Sequence, residues 1–236
     1  MATLLSICQG AADRIGMPRP TQVATSIDQT TRTLLGCAQA EGMALARRWP
    51  WQAIVREKTF TSIAAIAQTS SIPSDWDGRM LDDTFWNRTQ GRQVTGPLNS
   101  AEWQAIQASG VNAVTDSFRF RDDLIELTPT PSAGWTYAYE YVSSHWCETS
   151  GGTGQAAWAV DTDVPRLDAE LMTLGIIWRF LAGRGMSADT AFAVYEAEVT
   201  NAMARDGTRR IINLSGYGGG VSRDGGIATP DGSWNL

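Results

Sequence analysis

Helical hydrophobic patterns at both ends of the chain, with strand patterns between them, constrain the fold more than any local motif. Residues 1–50 and 160–210 repeat apolar side chains at three- and four-residue steps, which predicts two helices in each segment. Residues 51–159 instead contain short runs that alternate between two kinds of side chain, as strands do. Because helices of this length are marginal alone, the two pairs bury their apolar sides most economically against each other. We therefore predict an α+β fold: a four-helix bundle formed by the N- and C-terminal helix pairs, with an inserted β-rich domain.

Local start and stop signals set the helix boundaries. The first helix is predicted over residues 2–16, and the second begins at Ser26, where residues 26–29 have the form of a capping box. Pro50 ends the second helix. The third helix starts near Pro165 and is apolar around most of its circumference, which predicts burial on most sides. Ser187 is predicted to cap the last helix, whose inner stripe holds Phe192, Tyr195, Val199, Ala202 and Met203.

Three elements are predicted inside the β-rich segment. Residues 118–121 and 124–127 form a hairpin across a turn at Asp122 and Asp123. Asn99 caps a short helix that ends near residue 109. Residues 135–142 form the clearest strand, and period-two alternation places four aromatic rings on one of its faces: Trp135, Tyr137, Tyr139 and Tyr141.

The last 26 residues, 211–236, combine dense glycine with spaced apolar side chains. Glycine at this density disfavours helices and isolated strands, because it loses the most backbone freedom on ordering. A flexible backbone with spaced apolar residues is typical of a segment that orders against another molecule. A disordered terminus with incidental apolar residues is the common alternative. We predict an extended C-terminal docking arm with these partner-binding residues: Ile211, Ile212, Leu214, Tyr217, Val221, Ile227, Trp234 and Leu236.

Composition and motifs argue against catalysis and against tight nucleic-acid binding. The 236 residues have a formal net charge of −6, which disfavours strong contacts with a phosphate backbone. The single histidine, His145, together with Cys147 and Glu148, falls short of the four ligands of a structural zinc site. The acidic pairs Asp82-Asp83 and Asp122-Asp123 suit turns better than acid–base chemistry. We therefore predict no enzyme, metal or cofactor. An enzyme whose carboxylates converge from distant segments is an alternative that one sequence leaves open. Its candidate residues are Asp82, Asp83, Asp122, Asp123 and Glu126.

The cysteines and the apolar segments indicate the cellular compartment of the protein. Three cysteines, odd in number and far apart, imply no disulfide framework, and Cys8 and Cys37 fit helical core positions. The N-terminus lacks the pattern of a secretory signal, and the longest apolar stretch, residues 171–182, is too short to span a bilayer. We expect a protein that is made and kept in a reducing cytosol, with no membrane partner.

Ten tryptophans are unusual for a chain of this length. Half of them fall where a core or seam is expected, and the others, Trp76, Trp86, Trp146, Trp158 and Trp234, fall in turns, loops or the tail. Tryptophans in loops either bind partners or fold back onto their own domain. Because aromatic faces also bind sugars, an aromatic-rich glycan-binding module using the face of residues 135–141 is the alternative function.

An ordered set of stretches resembles the head-to-tail adaptor proteins of short-tailed bacteriophages. The stretches are SIDQTTRTLL (26–35), RRWPWQA (47–53), REKTFT (56–61), IPSDW (72–76), DTFWNR (83–88), FRFR (118–121) and YEYVS (139–143). They span most of residues 1–146. The small-residue segment 61–71 departs from the family pattern.

This resemblance implies a structural virion protein at the head–tail junction. The expected assembly is a ring, usually of twelve copies, beneath the portal protein, with neighbouring adaptor subunits and tail nozzle or fibre proteins as further partners. DNA is expected to pass through the lumen without specific binding, and the C-terminal arm to extend along the portal. The family offers no catalytic residues.

Overall fold

The fold is α+β, with five α-helices and short antiparallel sheets in the computed structural model, which describes residues 2–109 and 115–207. The helices are α1 (Leu4–Ile15), α2 (Gln29–Arg48), α3 (Ser100–Ser109), α4 (Ala169–Gly183) and α5 (Asp189–Asp206). The longer strands are β1 (Val55–Thr61), β3 (Trp76–Met80), β6 (Ser117–Arg121), β7 (Leu124–Thr128) and β8 (Thr136–Ser143). The two-residue strands are β2 (Ala67–Gln68), β4 (Trp86–Asn87), β5 (Arg92–Gln93), β9 (Cys147–Glu148), β10 (Gly154–Gln155) and β11 (Val164–Pro165).

Helices α1, α2, α4 and α5 share one hydrophobic core, as their apolar stripes predict. Helix α4 packs against each of the other three, and α1 also contacts α2. The most buried α4 side chains include Leu171, Met172, Ile176 and Phe180, which lie on several sides of the helix. The predicted burial of this helix on most sides is therefore confirmed. None of the described helices is long and apolar enough to cross a membrane.

A buried ion pair connects three of these helices. Glu41 of α2 is 0% exposed and accepts hydrogen bonds from Arg179 Nε of α4 at 2.7 Å and from the Tyr195 hydroxyl of α5 at 2.6 Å. Gly175 makes room for this carboxylate, because a Cβ atom there would overlap the Glu41 side chain. The Arg179 guanidinium also lies over the Trp178 ring, 4.5 Å from its centroid. The seam among α2, α4 and α5 is therefore fixed by polar geometry as well as by apolar packing.

Two predicted caps and one predicted core residue are wrong. Helix α2 is capped by Asp28, whose carboxylate accepts the Thr31 amide at 2.8 Å, while Ser26 lies outside the helix. Helix α5 begins after Ala188, which makes no side-chain cap, so Ser187 has no capping role. Phe192 is 43% exposed because it lies in the first turn of α5, beside the connection from α4, where its ring packs 5.2 Å from that of Trp178.

Strand β8 is the centre of the largest sheet. It pairs with β1 along the whole of that strand, from Val55↔Val142 to Thr61↔Thr136. On its other edge it pairs with β3 and β4, and β5 extends the sheet beyond β4. The predicted hairpin is β6–β7, and Asp122 and Asp123 both have positive φ in its turn. Strand β2 extends the hairpin into a second sheet, and β9 pairs with β10 and β11 in a third.

The aromatic face of β8 is real, but it is buried, so it cannot serve the predicted glycan site. Tyr137 and Tyr139 are each 1% exposed. Phe60 of β1 stacks on Tyr137 with a centroid distance of 5.6 Å. Phe118 of the hairpin sheet closes the layer by packing edge-on against Phe85 at 4.9 Å. The two sheets thus enclose a second, aromatic core, and sugar has no access to these rings.

The helical core also draws on residues from the strand-rich part of the chain. These are Trp51, Ile54, Val142, Trp146, Cys147 and Trp158. The division into a bundle of residues 1–50 and 160–210, an insertion of residues 51–159 and an arm of residues 211–236 stays a prediction.

Candidate interaction surfaces

The predicted docking arm, residues 211–236, lies outside the described residues, and so do all eight of its proposed partner-binding side chains. The structure does describe the residues that precede the arm. Helix α5 ends at Asp206, whose carboxylate accepts the Gln52 amide at 3.0 Å. The last described residue, Gly207, lies beside the Trp49 ring. The chain therefore leaves at the seam between the helices and the start of the β-rich segment.

The acidic residues considered for catalysis have structural positions. Asp83, Asp122 and Asp123 occupy turns with positive φ, a conformation that Asp tolerates better than most residues. Glu126 pairs with Arg119 at 2.6 Å on the β6–β7 hairpin. Within residues 2–109 and 115–207, no group of three or more His, Cys, Asp or Glu side chains is arranged to hold a metal ion.

The thiols of the chain are held in their protonated form. Burial, helped by the negative charge of Asp161, raises the pKa of Cys8 to about 12. Burial, together with Asp163, raises the pKa of Cys147 to about 12 as well. A thiol in this state is a poor nucleophile and a poor metal ligand at neutral pH. His145 packs against Gly154, where a Cβ atom would lie 2.7 Å from its Nδ1 atom.

Most of the tryptophans in loops fold back onto the protein. This is one of the two roles that the sequence suggested for them, the other being partner binding. Trp146 and Trp158 are buried against each other, with edge-on rings 5.0 Å apart. Trp146 also fills the space above Gly42 of α2, where a Cβ atom would overlap its ring. Among the tryptophans that the structure describes, Trp103 and Trp86 pack in neither core. Trp103 is nevertheless buried, with the Arg119 guanidinium 4.1 Å from its ring centroid, whereas Trp86 is only partly buried. Trp86 lines an open groove of about 550 Å³ with Glu57, Arg88 and Glu140.

A second concavity, which we name the Phe120 cleft, adjoins this groove. Its volume is about 390 Å³, and Asp83 lines both concavities. Phe120, 37% exposed, presents part of its ring to the opening. Asp82 and Asp83 add two carboxylates to its lining, and neither has an ion-pair partner among the described residues. The apolar residues lining the Phe120 cleft are Met80, Leu81, Phe85, Val94, Pro97, Phe118 and Phe120.

An apolar projection, the Ile27 knob, lies elsewhere on the chain. Ile27 is 95% exposed, the largest exposed fraction among the large apolar side chains of the described residues. It directly precedes the Asp28 cap, which also accepts the Thr31 hydroxyl at 2.9 Å. Arg32, one turn into α2, is exposed and has no ion-pair partner in the part of the chain that the structure describes. Sequence reasoning missed this feature because it assigned the cap to Ser26 and so drew Ile27 into the helix.

These features define a class: a mixed α and β protein with two hydrophobic cores, open concavities and an exposed apolar side chain at its surface. A family model for the SU10 adaptor protein matches residues 2–221, nearly the whole chain. The chain therefore belongs to this family, which consists of phage head-to-tail adaptors. Among curated proteins no match was found.

Proposed function

We propose that this protein is a head-to-tail adaptor that forms a ring beneath the portal and joins the capsid to the tail. The observation that carries the proposal is the family match over residues 2–221. The partners are the portal protein above, neighbouring adaptor subunits within the ring, and tail nozzle or fibre proteins below. The ring number we expect is twelve copies. The protein then resides in the virion, at the junction of head and tail.

Different segments of the chain have different roles in this function. The four helices form a bundle at the ring body, and residues 51–159 form the inserted platform. Residues 211–236 extend along the portal. Two observations support this division: the separate helical and aromatic cores, and the exit of the chain at the seam beside Trp49.

DNA passes through the ring without being held. A net charge of −6 supports this role, because tight binding to duplex DNA needs a surplus of lysine and arginine facing the phosphates. An acidic lining lets the genome slide through the ring during ejection.

The test is electron microscopy of portal-bearing, tail-less capsids incubated with the purified protein. We expect a ring at one vertex of each capsid, directly below the portal. Protein that binds to all vertices, or to none, contradicts the proposal. Capsids without a portal serve as the control and are expected to remain bare.

A further inference from the structure

The Ile27 knob is an exposed apolar side chain on a rigid support. The Asp28 carboxylate fixes the start of α2 through two bonds to Thr31, so Ile27 has a defined position despite its full exposure. Burying such a side chain at an interface favours association, because its apolar surface is removed from water. Arg32 lies five residues further on and carries a positive charge without a partner among the described residues.

The Phe120 cleft has the complementary properties. Its apolar lining can cover an aliphatic side chain, and its volume of about 390 Å³ leaves room for the flanking backbone. Asp82 and Asp83 bring two negative charges without ion-pair partners among the described residues to the same cleft. Arg79 also lines the cleft but is paired with Asp77, so the unpaired charges there are negative, and Arg32 beside the knob is positive. One chain therefore supplies both halves of an apolar contact with a matching ion pair.

We propose that the Ile27 knob of one copy enters the Phe120 cleft of a second copy, with Arg32 paired to Asp82 across the contact. The inference rests on the proposed function, and it names the surfaces that join neighbouring subunits. Because Ile27 is 95% exposed, it does not fill the cleft of its own chain. The two patches differ, so the contact is head-to-tail, and contacts of this kind close into rings when the rotation permits.

Charge reversal on portal-bearing capsids tests the pairing. Ile27→Asp is expected to lower ring occupancy at least about tenfold at equal protein concentration, as at a central interface residue. Arg32→Glu and Asp82→Lys each weaken assembly, and the double variant R32E/D82K restores it. Asp82 is chosen over Asp83 because Asp83 has a φ of 61°, where lysine adds strain.

Matched controls separate this contact from general effects of charge. Arg47→Glu changes another exposed α2 cation that has no ion-pair partner among the described residues, and R47E/D82K should not restore assembly. Val160→Asp places the same charge at another exposed apolar position and should leave the ring intact. Unchanged thermal unfolding of each variant shows that the fold is preserved.

Cysteine cross-linking tests the geometry directly. A chain with both Ile27→Cys and Phe120→Cys is expected to give a ladder of covalent oligomers after oxidation on capsids, and each single variant should give none. Dimers alone indicate a symmetric contact and overturn the inference. A ring that forms normally with Ile27→Asp, or one that loses only its tail component, also overturns it, while the proposed function stands. If the wild-type chain forms no ring at the portal vertex, both fail together.

Discussion

At the scale of single residues, the buried carboxylate of Glu41 is the group that places the strictest requirements on its neighbours. Its charge lies in the helical core, where Arg179 and Tyr195 are the described residues that replace its lost hydrogen bonds to water. Burial, the hydrogen bond to Glu41 and its negative charge together raise the pKa of Tyr195, so this phenol stays a donor at all ordinary pH values. The network is therefore complete only when all three side chains are present.

Removing the Arg179 cation should show how strongly the fold depends on the charge that compensates Glu41. We expect Arg179→Met to lower the free energy of unfolding by about 3 kcal/mol, because it leaves an uncompensated charge in the core. Urea unfolding measures the change. The control is Arg14→Met, which breaks the exposed Arg14–Glu170 pair between α1 and α4 and should cost at most about 1 kcal/mol. Equal losses for the two variants would contradict this account of Glu41.

Asp75 gives the fold a dependence on pH. Burial tends to raise its pKa, but hydrogen bonds from Ser143 at 2.6 Å and Tyr141 at 2.7 Å outweigh burial and hold the pKa below its ordinary value of 3.8. A carboxylate whose folded pKa is lowered stabilises the protein above its unfolded pKa, and that contribution is lost as pH falls through the folded value.

Comparison of the wild type with Asp75→Asn tests this. The wild type should be more stable than the variant near neutral pH, and the difference should shrink as the pH falls below 3.8. Urea titrations at a series of pH values give the difference directly. A gap that stays constant on acidification would show that the lost hydrogen-bond geometry, and not the charge of Asp75, is responsible.

At the scale of elements, α2 contains two glycines in opposite environments. Gly42 lies under the Trp146 ring, whereas a Cβ atom on Gly36 meets open space. Alanine is the better helix former by about 1 kcal/mol, so propensity alone favours both substitutions.

Packing should reverse the sign at one of them. We expect Gly36→Ala to raise the free energy of unfolding by about 0.5–1 kcal/mol. Gly42→Ala should lower it by about 1–3 kcal/mol, since Trp146 must move and Trp158 packs behind it. Thermal unfolding of both variants decides the matter. Stabilisation by Gly42→Ala would mean that Trp146 does not hold the β-rich segment against α2.

The elements that sequence predicted well are those whose periodicity persists. Residues 118–121 of β6 alternate strictly, the tyrosines of β8 fall at every second position, and the four long helices repeat apolar residues over several turns. The two-residue strands β4 and β5 have no such period, because pairing with β8 and with each other defines them. The aromatic face of β8 was predicted, but its burial was not, because the covering residues Phe85 and Phe118 come from distant segments.

The surfaces were harder to predict than the elements. The cleft lining combines β3, the β4–β5 region and β6, which only the folded sheets bring together. The docking arm, in contrast, was predicted from composition alone and stays a prediction.

At the scale of the whole molecule, two hydrophobic cores and the polar contacts between them hold the described residues together. Arg79 Nη2, for example, donates to the Ala46 carbonyl at 2.8 Å and links the β-rich segment to α2. Ordering each residue of the arm costs on the order of 1 kcal/mol of backbone entropy, so a partner has to supply many contacts. Fully extended, residues 211–236 reach roughly 80 Å, enough to cross a neighbouring subunit.

Two truncations separate the arm from the body. Deletion of residues 214–236 should leave thermal unfolding unchanged but abolish attachment to portal-bearing capsids, because most of the spaced apolar residues are lost. Deletion of residues 222–236 removes only the segment beyond the family match, with Ile227, Trp234 and Leu236, and should weaken attachment without abolishing it. Sedimentation of capsids with bound protein measures both. Normal attachment of the chain that lacks residues 214–236 would mean that the body alone docks on the portal. The glycine and apolar residues of the arm would then serve another contact.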